Sequence, residues 1–540
     1  MLTLLALGLV VLALLTPGQV DDVAPSTFVR LPVELLVLLA LVVLLPDRLA
    51  WLRRAAVAVA GGLLALVAVF TLLDLGFHQA LNRPFDPMID WRYAADLVET
   101  VRGSAPGPLG VVLIVAALAA LLATVLLVPL AVARVARAAR GHRPATVRLV
   151  AVLAPLWLVL SLLGVRVGTE PVASDAAAAY AYGQVARVPS QLRDQREFVR
   201  AAATDPARDL PADSLLSGLR GKDVLLVFVE SYGRVALDDP GLSAGVRAAL
   251  DDGTASLDRD GLTARSGWLT SPTFGALSWL AHCTLQAGLW VDSQQRYDHL
   301  VTTDRETLTS LFGRAGWRTV AAVPANTRDW PQGEFYGFDR VYDSRTLGYR
   351  GPRFGYPTMP DQFTLDAVHR LELAGGAPVM AEVDLISSHA PWSRTPRLVP
   401  QESVGDGSVF AGMPETLPSE SEIWPDADRV RAAYAGAVEY SLRAVLAYLE
   451  TYADEDTVVV MLGDHQPATI VSGRDPGHDV PVTIIAGDPA VTDRVAGWGW
   501  TEGLQPSPDA PVWRMDDFRD RFLAAYGGAR QTGTAQAGAG

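Results

Sequence analysis

The chain has 540 residues, half of them hydrophobic, a formal charge of −14 and one cysteine, Cys283. That balance argues against a single soluble domain and against a nucleic-acid partner, which wants a basic surface. It also leaves a fold without internal disulfides, a state that an oxidising compartment permits.

The apolar residues crowd into the first 166 positions. Five segments there, roughly 1–16, 31–46, 55–75, 108–133 and 148–166, each supply sixteen or more mostly apolar residues. That is near the length that crosses about 30 Å of hydrocarbon. The first segment has neither a basic n-region nor a small-x-small cleavage site, so it reads as a retained helix rather than a signal peptide. Arg48, Arg53 and Arg54 lie between the second and third segments, and Arg134, Arg137, Arg140, Arg143 and Arg148 between the fourth and fifth. The positive-inside rule makes both loops cytoplasmic. The N-terminus is then cytoplasmic, and everything after residue 166 is extracytoplasmic.

Between spans, "FDPMIDWRYAADLVETV" has helical spacing and reads either as a surface-lying helix or as one packed on the exported domain. Residues 167–220 read as a helical stalk. From 221 to 526, short β-branched runs alternate with helical patterns. The strand runs are "DVLLVFV" (223–229), "WRTVAAV" (317–323), "VMAEVDLI" (379–386), "TVVVML" (457–462) and "VPVTIIA" (480–486). In "RVRAAYAGAVEYSLRAVLAYLE", Val430, Tyr434, Val438, Leu442, Val445 and Leu449 recur as one helix face. Apolar strands alternating with helices predict a mainly parallel sheet sandwiched by helices. The tail 527–540 reads as disordered.

In such sheets, ligands gather at the carboxyl ends of the strands. The first run exits into Glu230, the third into His389 of "SSHAPW", and the fourth into Asp464 and His465 of "GDHQP". His478 stands just before the fifth. Singly, each has an ordinary reading as a turn former or surface histidine. Jointly, they form a Glu/Asp/His set suited to a divalent cation of the Mn²⁺ or Mg²⁺ type, with Zn²⁺ also possible. A nucleophile is offered by "SPTFGALSWLAHCTLQAGL", where Ser278 opens a helix whose amides and dipole favour a phosphate. Serine needs a base or a metal to activate it. The competing readings are Ser278 as a plain N-cap and Thr273 as the nucleophile.

"DVLLVFVES" and, far downstream, "GDHQP" resemble the alkaline phosphatase and sulfatase superfamily, and within it the lipoteichoic acid synthase type of membrane-anchored phosphoglycerol transferase. The resemblance covers the helix count, the topology and most of residues 222–490. It implies an alkaline phosphatase-like domain in which Glu230, Ser278, Asp464 and His465 hold the metal, Mn²⁺ above all. It also implies that Ser278 and His389 are catalytic and that His478 is a second active-site histidine. "ANTRDWPQGEFYGFD" resembles the family's substrate-facing loop, with Trp330 its best match and Asn326 and Arg328 beside it. Serine stands where the family has threonine, and His282 where a glutamate is common one helical turn later.

The reading is a metal-dependent transferase or hydrolase acting on phospholipid head groups at the outer membrane face. A cell-envelope glycan or lipid, or water, would be the acceptor. Sulfate-ester hydrolysis is disfavoured, because no C/S-x-P-x-R segment occurs. A phosphoethanolamine transferase is an alternative, although those compared rely on several disulfides. An envelope sensor without catalysis is the alternative of another class, favoured by the Ser278 and His282 departures and opposed by the intact ligand set.

Overall fold

The structure is a computed structural model and describes residues 1–19, 22–93, 108–168, 170–473 and 476–528. The chain divides into two compact units, Met1–Arg196 and Glu197–Gly540.

In the first unit, three helices among the described residues are long and apolar enough to cross a membrane: Asp47–Gln79, Ile114–Gly141 and Arg143–Leu162. Five spans were expected. The apolar helices Leu2–Leu15 and Val33–Leu44 have only 14 and 12 residues. At about 1.5 Å per residue they reach roughly 21 and 18 Å, short of a hydrocarbon core of about 30 Å. Proline ends both early. Thr16 and Leu45 precede Pro17 and Pro46 and take extended backbone, as the pyrrolidine ring requires. The arginine-rich stretch expected as a loop is instead mostly helical, because helix Pro108–Gly141 meets Arg143–Leu162 across His142. Arginines still gather at one end of this unit. Arg143 Nε donates to Val43 O at 3.1 Å, Arg53 to Leu45 O at 3.3 Å, and Arg140 pairs with Asp47. Of the outer-loop helix read over 85–101, the described part shows one short 3-10 turn, Asp90–Tyr93. Residues 94–101 lie outside the described residues, as does the tail from 529 onward.

The second unit is built on a nine-stranded sheet. Its strands are β1 Asp223–Val229, β2 Thr263–Thr270, β3 Arg318–Val323, β4 Arg340–Asp343, β5 Val379–Leu385, β6 Thr457–Gly463, β7 Asp479–Ala486, β8 Thr501–Glu502 and β9 Val512–Arg514. The order is β8-β2-β7-β6-β1-β5-β3-β4, with β9 also pairing β2. The stretch β6-β1-β5-β3-β4 is parallel throughout. β7 runs antiparallel to both β6 and β2. The sheet is therefore mixed, not mainly parallel to its edges, and the reversal matters: it brings the start of β7 to the edge where the parallel strands end.

Alternation along β1 feeds two apolar layers. Leu225, Val227 and Val229 enter one, and Val224, Leu226 and Phe228 the other. Each face of a strand buried on both sides needs its own cover. The helix Ala427–Tyr452 covers the first layer with Val430, Tyr434, Val438, Leu442, Val445 and Leu449, all buried. The helices Ser278–Ala287 and Asp517–Tyr526 cover the second, through Ala281, Leu285, Phe518 and Phe522. The helix carrying Ser278 thus lies on one face of the sheet, with its N-terminus at the ligand-rich edge.

Candidate metal centre and nucleophile

Glu230 leaves β1 in a tight turn, and Ser231 next to it takes a left-handed conformation with φ 56°. The turn is tied to its neighbours through the backbone. Ser231 N donates to Asp464 Oδ1 at 2.7 Å, Ser388 Oγ to Glu230 O at 2.6 Å, and Tyr434 Oη to Ser231 O at 2.9 Å. Ser271 Oγ donates to Asp464 O at 2.6 Å, and Gly275 N to Gln466 O at 2.9 Å. The exits of β1, β2, β5 and β6 are therefore knit together before any ligand is considered. Leu277, the residue before Ser278, is also left-handed, with φ 70°. Such conformations cost about 1–3 kcal/mol each and persist where the surroundings impose them.

Gly463 closes β6 under the same turn. A Cβ there would lie 1.9 Å from Tyr232 O. Gly463→Ala is expected to cost about 3 kcal/mol or more, since backbone must give way, and to part Glu230 from Asp464. A thermal melt with and without Mn²⁺ checks both effects.

The side chains converge. Ser278 Oγ donates to Glu230 Oε2 at 3.0 Å and lies 3.3 Å from His465 Nε2. That nitrogen is 3.5 Å from Glu230 Oε1 and 3.8 Å from Asp464 Oδ2. His465 Nδ1 donates to Gln466 O at 2.9 Å, which leaves the Nε2 lone pair facing the cluster. Ligand atoms of Glu230, Asp464 and His465, all buried, lie within 4.8 Å of one another. Bonds of about 2.1 Å to a common ion put neighbouring ligand atoms about 3.0–3.4 Å apart, so the set fits a divalent cation with modest contraction. Ser278 is not a cap. It is the first helical residue, and its hydroxyl is turned to Glu230 rather than to a helix amide.

Electrostatics sets the two carboxylates apart. Burial acts to raise Glu230, but the charges of His389 and His465 and hydrogen bonds from Ser231 and Ser278 outweigh it and hold the group down at about 2. Burial and the Glu230 charge push Asp464 up to about 6.

The remaining expected residues divide. His389 stacks on Tyr356 with ring centres 3.8 Å apart, and its charge acts on Glu230. Its loop is held by Asp361, whose Oδ1 accepts from Ile386 N at 2.8 Å and Ser387 N at 2.9 Å. His478 lies beside the end of β2, its Nδ1 3.3 Å from Ser271 O, and burial lowers its pKa. Thr273 Oγ1 is 3.5 Å from Ser271 Oγ and does not join the Glu230 group. Trp330 packs on Tyr336 and Phe338, Asn326 O accepts from Ser344 Oγ at 2.7 Å, and Arg328 is exposed. None of these three enters the Glu230 cluster.

A second group went unread in the sequence. His282, one turn after Ser278, faces Glu382 and Asp384 of β5, with ligand atoms again within 4.8 Å of one another. His282 Nδ1 is 3.3 Å from Glu382 Oε1 and 3.6 Å from Asp384 Oδ1. Burial works against a charge on His282, but Asp384 and Glu382 outweigh it and push the imidazole up to about 9. Burial pushes Asp384 up to about 7. The signal was legible: Glu and Asp at i and i+2 of "VMAEVDLI" share one face of a strand, and a buried charge needs a partner.

No curated protein matches the chain. Among solved structures, the lipoteichoic acid synthase LtaP from Listeria monocytogenes is 13% identical, with 62% of this chain and 78% of that chain covered and a TM-score of 0.36. The phosphoglycerol transferase GacH from Streptococcus pyogenes is 13% identical, with 61% and 81% covered and a TM-score of 0.39. The periplasmic domain of EptC from Escherichia coli is 14% identical, with 57% and 82% covered and a TM-score of 0.38. Residues 222–482, which carry Glu230, Ser278, His389, Asp464 and His465, match the family model Sulfatase, so this part of the chain is similar to a sulfatase-family domain.

Proposed function

We propose that the protein is a phosphoryl transferase that takes a phosphorylated head group from a membrane lipid, with Ser278 as covalent nucleophile. The observation that carries this reading is the Ser278 hydroxyl lying 3.0 Å from Glu230 Oε2 and 3.3 Å from His465 Nε2, inside a metal-type ligand set. Glu230, Asp464, His465 and Ser278 would hold a divalent cation. When bound, such an ion lowers the pKa of a coordinated hydroxyl and neutralises charge on a phosphoryl oxygen.

The chain's own residues do the rest. Glu230 orients the Ser278 hydroxyl, and the helix behind it presents free backbone amides to the phosphoryl oxygens. Ser278 Oγ forms a bond to phosphorus as the bond to the diacylglycerol oxygen breaks. The serine proton passes to solvent, and the departing oxygen gains one, a role we assign to His389. An acceptor hydroxyl, or water, then attacks phosphorus and frees the serine. His478, Trp330, Asn326 and Arg328 are the side chains we assign to the head group around this centre.

Topology supports a lipid donor. The helices Asp47–Gln79, Ile114–Gly141 and Arg143–Leu162 share an arginine-rich end at Asp47, Arg140 and Arg143. Placing that end in the cytoplasm sends the chain after Leu162 to the outer face, whether or not the two shorter helices cross.

Full-length protein in detergent with Mn²⁺, given vesicles of phosphatidylglycerol or of phosphatidylethanolamine, should release diacylglycerol from one of them. Release from phosphatidylglycerol supports a phosphoglycerol donor, and release from phosphatidylethanolamine the alternative head group. Aryl sulfate hydrolysis without diacylglycerol release would contradict the reading.

A further inference from the structure

His282, Glu382 and Asp384 are arranged for more than a salt bridge. Glu382 and Asp384 project from β5 on the face covered by the helix Ser278–Ala287, where they meet His282. His282 is more than nine-tenths buried, and its ring lies flat on Phe228 with centres 3.7 Å apart and planes 12° apart. Glu382 is 1% exposed. Its Oε2 accepts from Gln286 Nε2, and Gln286 is itself fixed by donating to Thr309 Oγ1 at 2.8 Å and accepting from Thr309 N at 3.0 Å. One glutamate oxygen is thus held from behind while Oε1 faces the histidine, the arrangement that outer partners impose on metal-ligating carboxylates.

Two polar atoms of this group have no hydrogen-bond partner, His282 Nε2 and Asp384 Oδ1. A buried polar atom without a partner is costly and calls for an explanation. For Asp384 Oδ1 the spacings supply one. A charge-assisted bond between imidazolium and carboxylate closes to about 2.7–2.9 Å. Here His282 Nδ1 stands 3.3 and 3.6 Å from the two carboxylate oxygens. Those are loose for ion pairs; the first lies within, and the second just beyond, the edges of about 3.0–3.4 Å of a coordination shell with bonds of about 2.1 Å. Charge argues the same way: the carboxylates of Glu230, Glu382, Asp384 and Asp464 act on one another.

We propose that His282, Glu382 and Asp384 bind a second divalent cation of the Zn²⁺ or Mn²⁺ class, beside the centre formed by Glu230, Asp464 and His465. One imidazole and two carboxylates suit that class of ion. The site stands whatever reaction the first centre performs.

The test uses full-length protein in detergent, stripped with EDTA and dialysed against Mn²⁺ or Zn²⁺, with bound metal counted by elemental analysis. Wild type should hold two ions per chain, and His282→Gln and Asp384→Asn one each. Paramagnetic resonance of the Mn²⁺ form should show coupling between two ions in wild type that both variants lose. One ion in wild type, or two in both variants, overturns the proposal. If either variant fails to fold, anomalous scattering from zinc-loaded wild-type crystals decides, and a second ion away from His282 overturns it equally. Asp464→Asn separates the two centres: it should keep one ion, and an unchanged count would count against the first centre alone.

Discussion

Ser278→Ala is expected to lower diacylglycerol release on the order of 10³-fold or more, because loss of an attacking serine removes the covalent route altogether. Its thermal stability should change little. The hydroxyl has one carboxylate acceptor and one imidazole neighbour, and a net hydrogen bond contributes about 1 kcal/mol. Ser278→Thr should retain most of the activity, since a threonine hydroxyl can point the same way from the first turn of a helix. Thr273→Ala should stay within a few-fold of wild type, because Thr273 contacts Ser271 rather than Glu230. A Thr273→Ala variant as inactive as Ser278→Ala would return the nucleophile to Thr273.

Asp464→Asn carries the second large effect, and its sign depends on the metal. Loss of an outer partner alone already costs about 10–100-fold in activity or affinity, so loss of a ligand should cost at least about 10²-fold. Without metal the expectation reverses. Burial and Glu230 raise folded Asp464 to about 6, above its ordinary value of 3.8. A carboxyl raised on folding contributes stability that is present below the unfolded pKa and lost as pH rises through the folded one. At pH 7 in EDTA, wild type therefore carries a buried charge that the variant lacks. Asparagine can keep Oδ1 as acceptor for Ser231 N and His465 N. In EDTA at pH 7, Asp464→Asn should melt above wild type by roughly a few degrees, and below pH 4 the gap should close. Saturating Mn²⁺ should invert the order. If the variant melts lower in EDTA as well, the carboxylate is stabilised by something other than a cation.

Much of the site was legible because strand exits are where an α/β sheet presents side chains. Glu230, His389 and the Asp464–His465 pair stand at the ends of apolar runs, and Ser278 opens the helix whose N-terminus lies at the same edge. The features that escaped sequence reading did so for physical reasons. β2, "TARSGWLT", has no apolar run, since one side of it faces short edge strands and polar partners such as Thr483 and Gly503 O. The reversal of β7 cannot be read from its composition, yet it explains how His478, before a strand, joins residues that stand after strands. Glu382 and Asp384 were absorbed into an apolar run whose second face was never asked for a partner. In the membrane unit, the first two apolar segments were counted as spans up to Pro17 and Pro46, although their helices end at Leu15 and Leu44.

The most direct test of the account is the intact mass of full-length protein, loaded with Mn²⁺ and quenched during turnover of lipid vesicles. A phosphorylated head group should appear on wild type and be missing from Ser278→Ala, and its mass names the group transferred. An adduct that persists in Ser278→Ala would contradict the account, as would neither adduct nor diacylglycerol from a protein shown to hold its metal.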